Sequence, residues 1–151
     1  MTVASTLQTG HIGLNVTSLE RSIAFYEQAF GLSTIRTSED ANRRYAFLGD
    51  GERLVVTLWQ QSEGRARTDL PGLHHLSFQV DTVDEVMRAE ARLRALGVRL
   101  HHDGAVAHSE GAASGGIFFE DPDGIRLEIF SADGGHEMPA PTGSAPACGF
   151  F

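Results

Sequence analysis

The chain has 151 residues, 41% hydrophobic and 21% charged, with a formal net charge of -8. That composition fits one soluble globular domain, or two small modules sharing a core. Its acidity makes nucleic acid and anionic membrane surfaces poor partners. All 12 basic residues are Arg, which removes Schiff-base and phosphate-loop lysine chemistry. A single Cys148 forms no intrachain disulfide, and no apolar run approaches the ~18 residues of a membrane span, so a cytoplasmic location is expected.

The first element is a strand in "GHIGLNV" (Gly10 to Val16). Thr17, Ser18, Leu19 and Glu20 follow as a Thr-x-x-Glu capping box. A helix is predicted over Leu19 to Phe30, with Leu19, Ile23, Tyr26 and Phe30 at helical spacing and Gly31 as its stop. Strands follow near Ser33 to Arg36, at Tyr45 to Leu48 and at Arg53 to Trp59, the last two joined by a turn at Gly49 to Gly51. Gln60 to Gly72 reads as a connector. Then the pattern repeats. "HHLSFQV" (His74 to Val80) matches the first strand, and His75 lies 64 residues after His11. Thr82 to Glu85 is a second capping box. Val83 to Leu96 is a second helix with a Val83, Val86, Leu93 and Leu96 stripe, stopped by Gly97. Strands at Val98 to His101, Gly116 to Glu120 and Ile125 to Phe130 complete this half, with "DPDG" (Asp121 to Gly124) as a turn. Each half therefore reads β-α-β-β-β. The Gly- and Ala-rich stretch His101 to Gly116 reads as a mobile lid. The segment Ala132 to Phe151 has a flexible composition, although its ending "CGFF" suits docking on a partner subunit or over a pocket mouth.

Strand side chains alternate between faces. Ile12, Leu14 and Val16 oppose His11, Gly13 and Asn15. Leu76, Phe78 and Val80 oppose His75, Ser77 and Gln79. Leu127 and Ile129 oppose Arg126, Glu128 and Phe130. One face of each sheet is thus apolar and fit to pack under a helix, whereas the other mixes polar groups with aromatics. Burying an unpaired polar group costs about 2–7 kcal/mol, so that second face is either wet or furnished for a ligand.

The duplicated motifs "HIGLNVTSLERSIAFYEQAFGL", "HHLSFQV" and "FFEDPDGIRLEIF" resemble the vicinal oxygen chelate superfamily, over roughly Thr9 to Ser131. This superfamily includes glyoxalase I, extradiol dioxygenases, fosfomycin-resistance transferases and bleomycin-resistance proteins. The resemblance implies an α+β fold of two modules, 1–65 and 66–131. By the same resemblance the modules are expected to form one compact domain with a U-shaped sheet cavity, followed by the tail 132–151, and the protein is expected to be a homodimer. It also implies a metal site of His11, His75 and Glu128 for one divalent ion (Fe, Mn, Ni, Co or Zn), built within one chain or across the dimer. The fourth ligand position of the family falls on Thr57, or on Val55 in the other strand alignment, and neither is an ordinary ligand. The implied function is a metal-dependent lyase, isomerase or dioxygenase acting on a small molecule with vicinal oxygens. The alternative is a metal-free protein that sequesters an antibiotic.

Glu128 and His108 are the candidate catalytic residues. Asn15, Tyr45, Phe47, Thr57, Trp59, Ser77, Phe118, Arg126 and Phe130 are the candidate substrate contacts. His74 is assigned to the surface or the connector. Arg43 and Arg44 are assigned to a solvated face.

Overall fold

The computed structural model describes residues 6–151; residues 1–5, which the sequence reading counts in the first module, lie outside the described residues. In the first part of the chain β1 (Ile12–Val16) and α1 (Leu19–Phe30) lead into β2 (Ser33–Thr37), β3 (Tyr45–Gly49) and β4 (Leu54–Gln60). In the second, β5 (Leu76–Val80) and α2 (Val83–Ala95) lead into β6 (Leu100–Ala107), β7 (Gly115–Glu120) and β8 (Arg126–Ser131). The two four-stranded sheets have the orders β1-β4-β3-β2 and β5-β8-β7-β6. The fold is thus α+β with two βαβββ modules. The chain divides into one compact unit up to Gly64 and another over Arg65–Phe151.

Each sheet is mixed for the same reason. The first strand of a module pairs parallel to the last, β1 with β4 and β5 with β8, and a parallel pair requires a crossover connection. The other pairs are antiparallel. The ladders place Gly13 beside Thr57 and Ser77 beside Glu128. Thr57, not Val55, is therefore the first-unit counterpart of Glu128.

The apolar faces pack as the alternation predicts. In the first unit Val16, Ala46, Leu48, Val56 and Leu58 are fully buried together with Tyr26 of α1. In the second unit Ile117, Phe119 and Leu127 are fully buried together with Val86 and Leu93 of α2. At about 25 cal/mol per Å² of apolar surface, these two layers are the main source of stability.

The caps differ between modules. Thr82 and Glu85 form the reciprocal capping box at the start of α2. At α1 the N-cap is Ser18 rather than Thr17; its hydroxyl accepts from the Arg21 amide. The Thr17 hydroxyl instead accepts from the Arg21 guanidinium. Glu20 is drawn outward into an ion pair with Arg44, so it cannot close a box. Gly31 ends α1 in the left-handed region, at φ 69°.

Two further expectations are corrected. β6 does not stop at His101 but runs on to Ala107, taking up half of the stretch expected to be a lid. It does so through a bulge: His102 and Asp103 have φ of 58° and 61°, and the β6–β7 register shifts between His101 and Val106. Side chains of α2 hold the bulge. Arg94 donates to the Asp103 carbonyl at 2.8 Å, and Glu90 accepts from the Ala105 amide at 3.0 Å. The segment after β8 is also packed, despite its flexible composition. It bonds back along the second unit from Gly135 to Ala113, from Ala107 to Pro139, from Glu110 to Gly143 and from Ala147 to His108.

Replacing Thr82 by Ala removes one side of the α2 capping box. The expected result is a loss of about 1 kcal/mol in urea unfolding, with no change in the denaturant slope.

Candidate functional site

In the second unit the mixed face of the sheet forms a row from strand to strand. Ser77 of β5 pairs with Glu128 of β8, Glu128 with Phe118 of β7, and Phe118 with His101 of β6. Glu128 lies mid-sheet and is only 3% exposed. A buried carboxylate requires donors, and histidines approach it on both sides. His108, just past β6, places Nε2 2.5 Å from Glu128 Oε1 and Nδ1 2.6 Å from the Ser114 hydroxyl. A neutral His108 satisfies both contacts with its proton on Nε2, donating to Glu128, while Ser114 donates to Nδ1. His75, immediately before β5, places Nε2 3.6 Å from Glu128 Oε2. That distance is too long for a hydrogen bond.

Three further groups complete this face. His74 is exposed, as the sequence suggests, yet its Nδ1 lies 2.8 Å from His75 Nδ1. Arg126 approaches His74 Nε2 at 3.5 Å. Phe130, half-buried, packs its ring 5.4 Å from that of His108. Sequence reasoning missed His74, His101 and Ser114 as neighbours of this cluster. Ser114 had a signal in its place at the end of the "HSEGAAS" loop, whereas the contacts of His74 and His101 depend on the β6 bulge and the strand start.

Burial, only partly offset by the Glu128 charge, holds the His75 pKa below the ordinary imidazole value. The neutral ring is also the form that binds a cation. Burial likewise lowers the pKa of His101; Glu120 opposes this, while Arg99, His102 and Arg126 reinforce it. A histidine depressed in the folded chain gains a proton more readily once unfolded. Its contribution to stability is therefore present above the ordinary imidazole value of 6.5 and is lost as pH falls through the folded pKa. In an NMR titration His101 is expected to change charge at a pH below that of an exposed histidine in the same spectrum.

The first unit carries different chemistry on its corresponding face. Thr57 is 1% exposed, and its hydroxyl accepts from the Trp59 indole at 3.0 Å. Gly13 beside it leaves the space: a Cβ there would stand 3.3 Å from the Thr57 hydroxyl oxygen. Tyr45 packs against Phe47 and Trp59 at 5.2 and 5.4 Å between ring centroids. Asn15 turns back to accept from the Gln61 amide. A cavity of about 280 Å³ opens between Tyr45, Trp59, Asn42, Arg43, Arg44 and Gln61. His11 stands just before β1 and is exposed.

The candidate residues thus fall into two groups. His75, His108, Glu128, Ser77, Phe118, Arg126 and Phe130 belong to the second unit, and His11, Asn15, Tyr45, Phe47, Thr57 and Trp59 to the first. Among the described residues, no three His, Cys, Asp or Glu side chains stand together as a ready metal cage. Replacing Thr57 by Val keeps the shape but leaves the Trp59 indole unpaired. A loss of about 1 kcal/mol is expected, together with a shift in the emission of the chain's only tryptophan.

Comparison with known proteins agrees with this architecture. A probable trivalent organoarsenical cleaving enzyme of Bacillus subtilis (strain 168) is 32% identical over 130 residues, covering 85% of this chain and 82% of the relative. A lactoylglutathione lyase of Salmonella typhimurium is 34% identical over 132 residues, covering 81% and 90%. Among solved structures, the fosfomycin resistance protein FosX of Listeria monocytogenes, complexed with Mn(II) and sulfate, superposes with a TM-score of 0.63 at 22% identity. It covers 84% of this chain and 93% of its own. The family pattern itself matches residues 8–129. The chain belongs to the Glyoxalase/Bleomycin resistance protein/Dioxygenase superfamily.

Proposed function

We propose that this chain is a divalent-metal-dependent enzyme of lyase, isomerase or dioxygenase type, acting on a small molecule with adjacent oxygens. The observation that carries this reading is the buried Glu128, with one oxygen held by His108 and the other facing His75. The donor set fits a cation. Two ligand atoms bound to one ion at about 2.1 Å lie roughly 3.0–3.4 Å apart, and His75 Nε2 and Glu128 Oε2 stand 3.6 Å apart. His11, by its place ahead of β1, is the third ligand of the reading. Two imidazoles and a carboxylate suit Fe, Mn, Ni, Co or Zn. When bound, such an ion supplies Lewis acidity to a substrate oxygen.

The chain's own groups do the rest. His108 holds Glu128 Oε1 and keeps Oε2 turned toward His75. Its Nε2 proton is the one placed to move to or from the carboxylate: the carboxylate only accepts and so selects this tautomer, and the Ser114 hydroxyl accommodates it by donating to Nδ1. Thr57 stands where Glu128 has its counterpart, and a hydroxyl is no base at neutral pH. Proton handling is therefore assigned to Glu128 and His108 alone. Phe118, Phe130, Ser77 and Arg126 border the site in the second unit, and Tyr45, Phe47, Trp59 and Asn15 supply substrate contacts from the first. Relatives named as a lyase and an organoarsenical cleaving enzyme support an enzyme reading. The proposed setting is a cytoplasmic homodimer that binds a small molecule, and neither nucleic acid nor membrane. No helix among the described residues is long and apolar enough to cross a membrane.

A second reading, sequestration without metal, is favoured by one feature: the Tyr45–Phe47–Trp59 cluster with its adjoining cavity. Elemental analysis of protein purified without a metal-affinity tag separates the two. Near-stoichiometric metal, lost in Glu128→Ala with the fold retained, is the expected outcome. A metal-free protein whose tryptophan emission is quenched by a drug-sized aromatic compound would favour sequestration.

A further inference from the structure

The segment after β8 ends its course across the second unit on the face that holds Glu128. Ala147 is fully buried with Val106 and Phe118, and Cys148 and Phe151 pack against that cluster. Its backbone is tied down on both sides: the Ala147 amide donates to the His108 carbonyl at 2.7 Å, and the Ala147 carbonyl lies 3.3 Å from His102 Nε2. Beyond Ala147 the backbone bonds among the described residues are local, from Gly149 to Pro146 and from Phe150 to Ala147. Phe150 is 63% exposed. From Cys148 onward the chain is therefore held to the sheet by side-chain packing.

The seat of the Phe151 ring is built for an aromatic. His101 and His75 meet it at centroid distances of 5.4 and 5.8 Å, at 65° and 71° to its plane. His74 lies at 6.5 Å and 77°. Phe118 forms the floor at 4.9 Å, and the Arg126 guanidinium carbon lies 5.7 Å from the ring centroid. Steep ring-to-ring angles and a neighbouring cation are the arrangements that the quadrupole of an aromatic ring favours over a saturated group of equal size. His75 is also one of the two groups facing each other across the 3.6 Å gap to Glu128.

We propose that this is a subsite for an aromatic ring of the ligand, occupied in the free protein by the chain's own Phe151. The hinge lies at Ala147–Cys148, the last point held by the sheet. A ligand ring enters by displacing Phe151, so the protein selects small molecules that carry an aromatic ring over saturated ones. The inference deepens the function proposed above by naming the substrate class, and it rests on that reading only for the chemistry that follows binding.

The test is an NMR titration of the full chain with phenol and, separately, cyclohexanol. It compares the wild type with Phe151→Ala and Phe151→Leu. If the self-occupied state is populated about 90% of the time, removing it strengthens phenol binding on the order of tenfold. The expected result is that gain in Phe151→Ala, a smaller gain in Phe151→Leu, phenol-induced shifts at His75, His101 and Phe118, and no comparable gain for cyclohexanol. Phe151→Leu keeps apolar bulk and serves if the alanine variant unfolds. Phenol binding no tighter than in the wild type in a folded variant, an equal gain for cyclohexanol, or shifts confined to other surfaces would overturn the proposal. Repeating the titration in Glu128→Gln separates this proposal from the metal reading. Unchanged phenol exchange there supports the subsite whether or not metal is lost, whereas its disappearance in a folded Glu128→Gln protein refutes the subsite.

Discussion

A carboxylate buried in the middle of a sheet is the constraint around which the second unit is arranged. Glu128 gives up nearly all its contact with water, a cost of several kcal/mol unless donors replace it. His108 supplies one donor and is itself held by Ser114. The other carboxylate oxygen faces His75 without a hydrogen bond between them. That asymmetry lets a structural requirement double as a chemical one. One oxygen secures the side chain, and the other is presented.

The two modules share a scaffold and differ in what they place on it. Both ladders bring the last strand beside the first in the same register. At the matching position one module has a carboxylate and the other a hydroxyl that accepts from an indole. On this face the first unit therefore carries a hydroxyl among aromatic rings, and the second carries a carboxylate among histidines and its own aromatic rings. On a shared fold such division is a route to different functions: the backbone ladder fixes where a side chain points, and substitution at a few positions changes what it does.

Much of this was legible in the sequence. Both helices run over the residues their apolar spacing predicts, because burial of one stripe decides their existence and the glycines that follow decide their ends. Strand alternation assigned the two faces of each sheet correctly. The α1 cap was misread by one residue because Glu20 has a competing partner, Arg44, which stands just before β3. The course of β6 was not legible, since two consecutive non-glycine residues in the left-handed region are rare and depend on Arg94 and Glu90 of α2. The packing of the last twenty residues was also largely hidden, with only the ending "CGFF" pointing to docking. Their composition is that of a linker, and their order comes from backbone bonds to surfaces far away in sequence. Of the site, residue types and strand positions were readable, whereas the contacts of His74, His101 and Ser114 required the folded backbone.

The β6 bulge has a consequence of a different kind. β6 is one of the two outer strands of its sheet, and a straight outer strand is a template on which a neighbouring molecule can extend the sheet indefinitely. The left-handed step at His102 and Asp103 breaks the repeat of amides and carbonyls along that margin, and the Ala107 amide is already taken by the Pro139 carbonyl. Fibre-like growth from this side is thereby obstructed by the backbone itself.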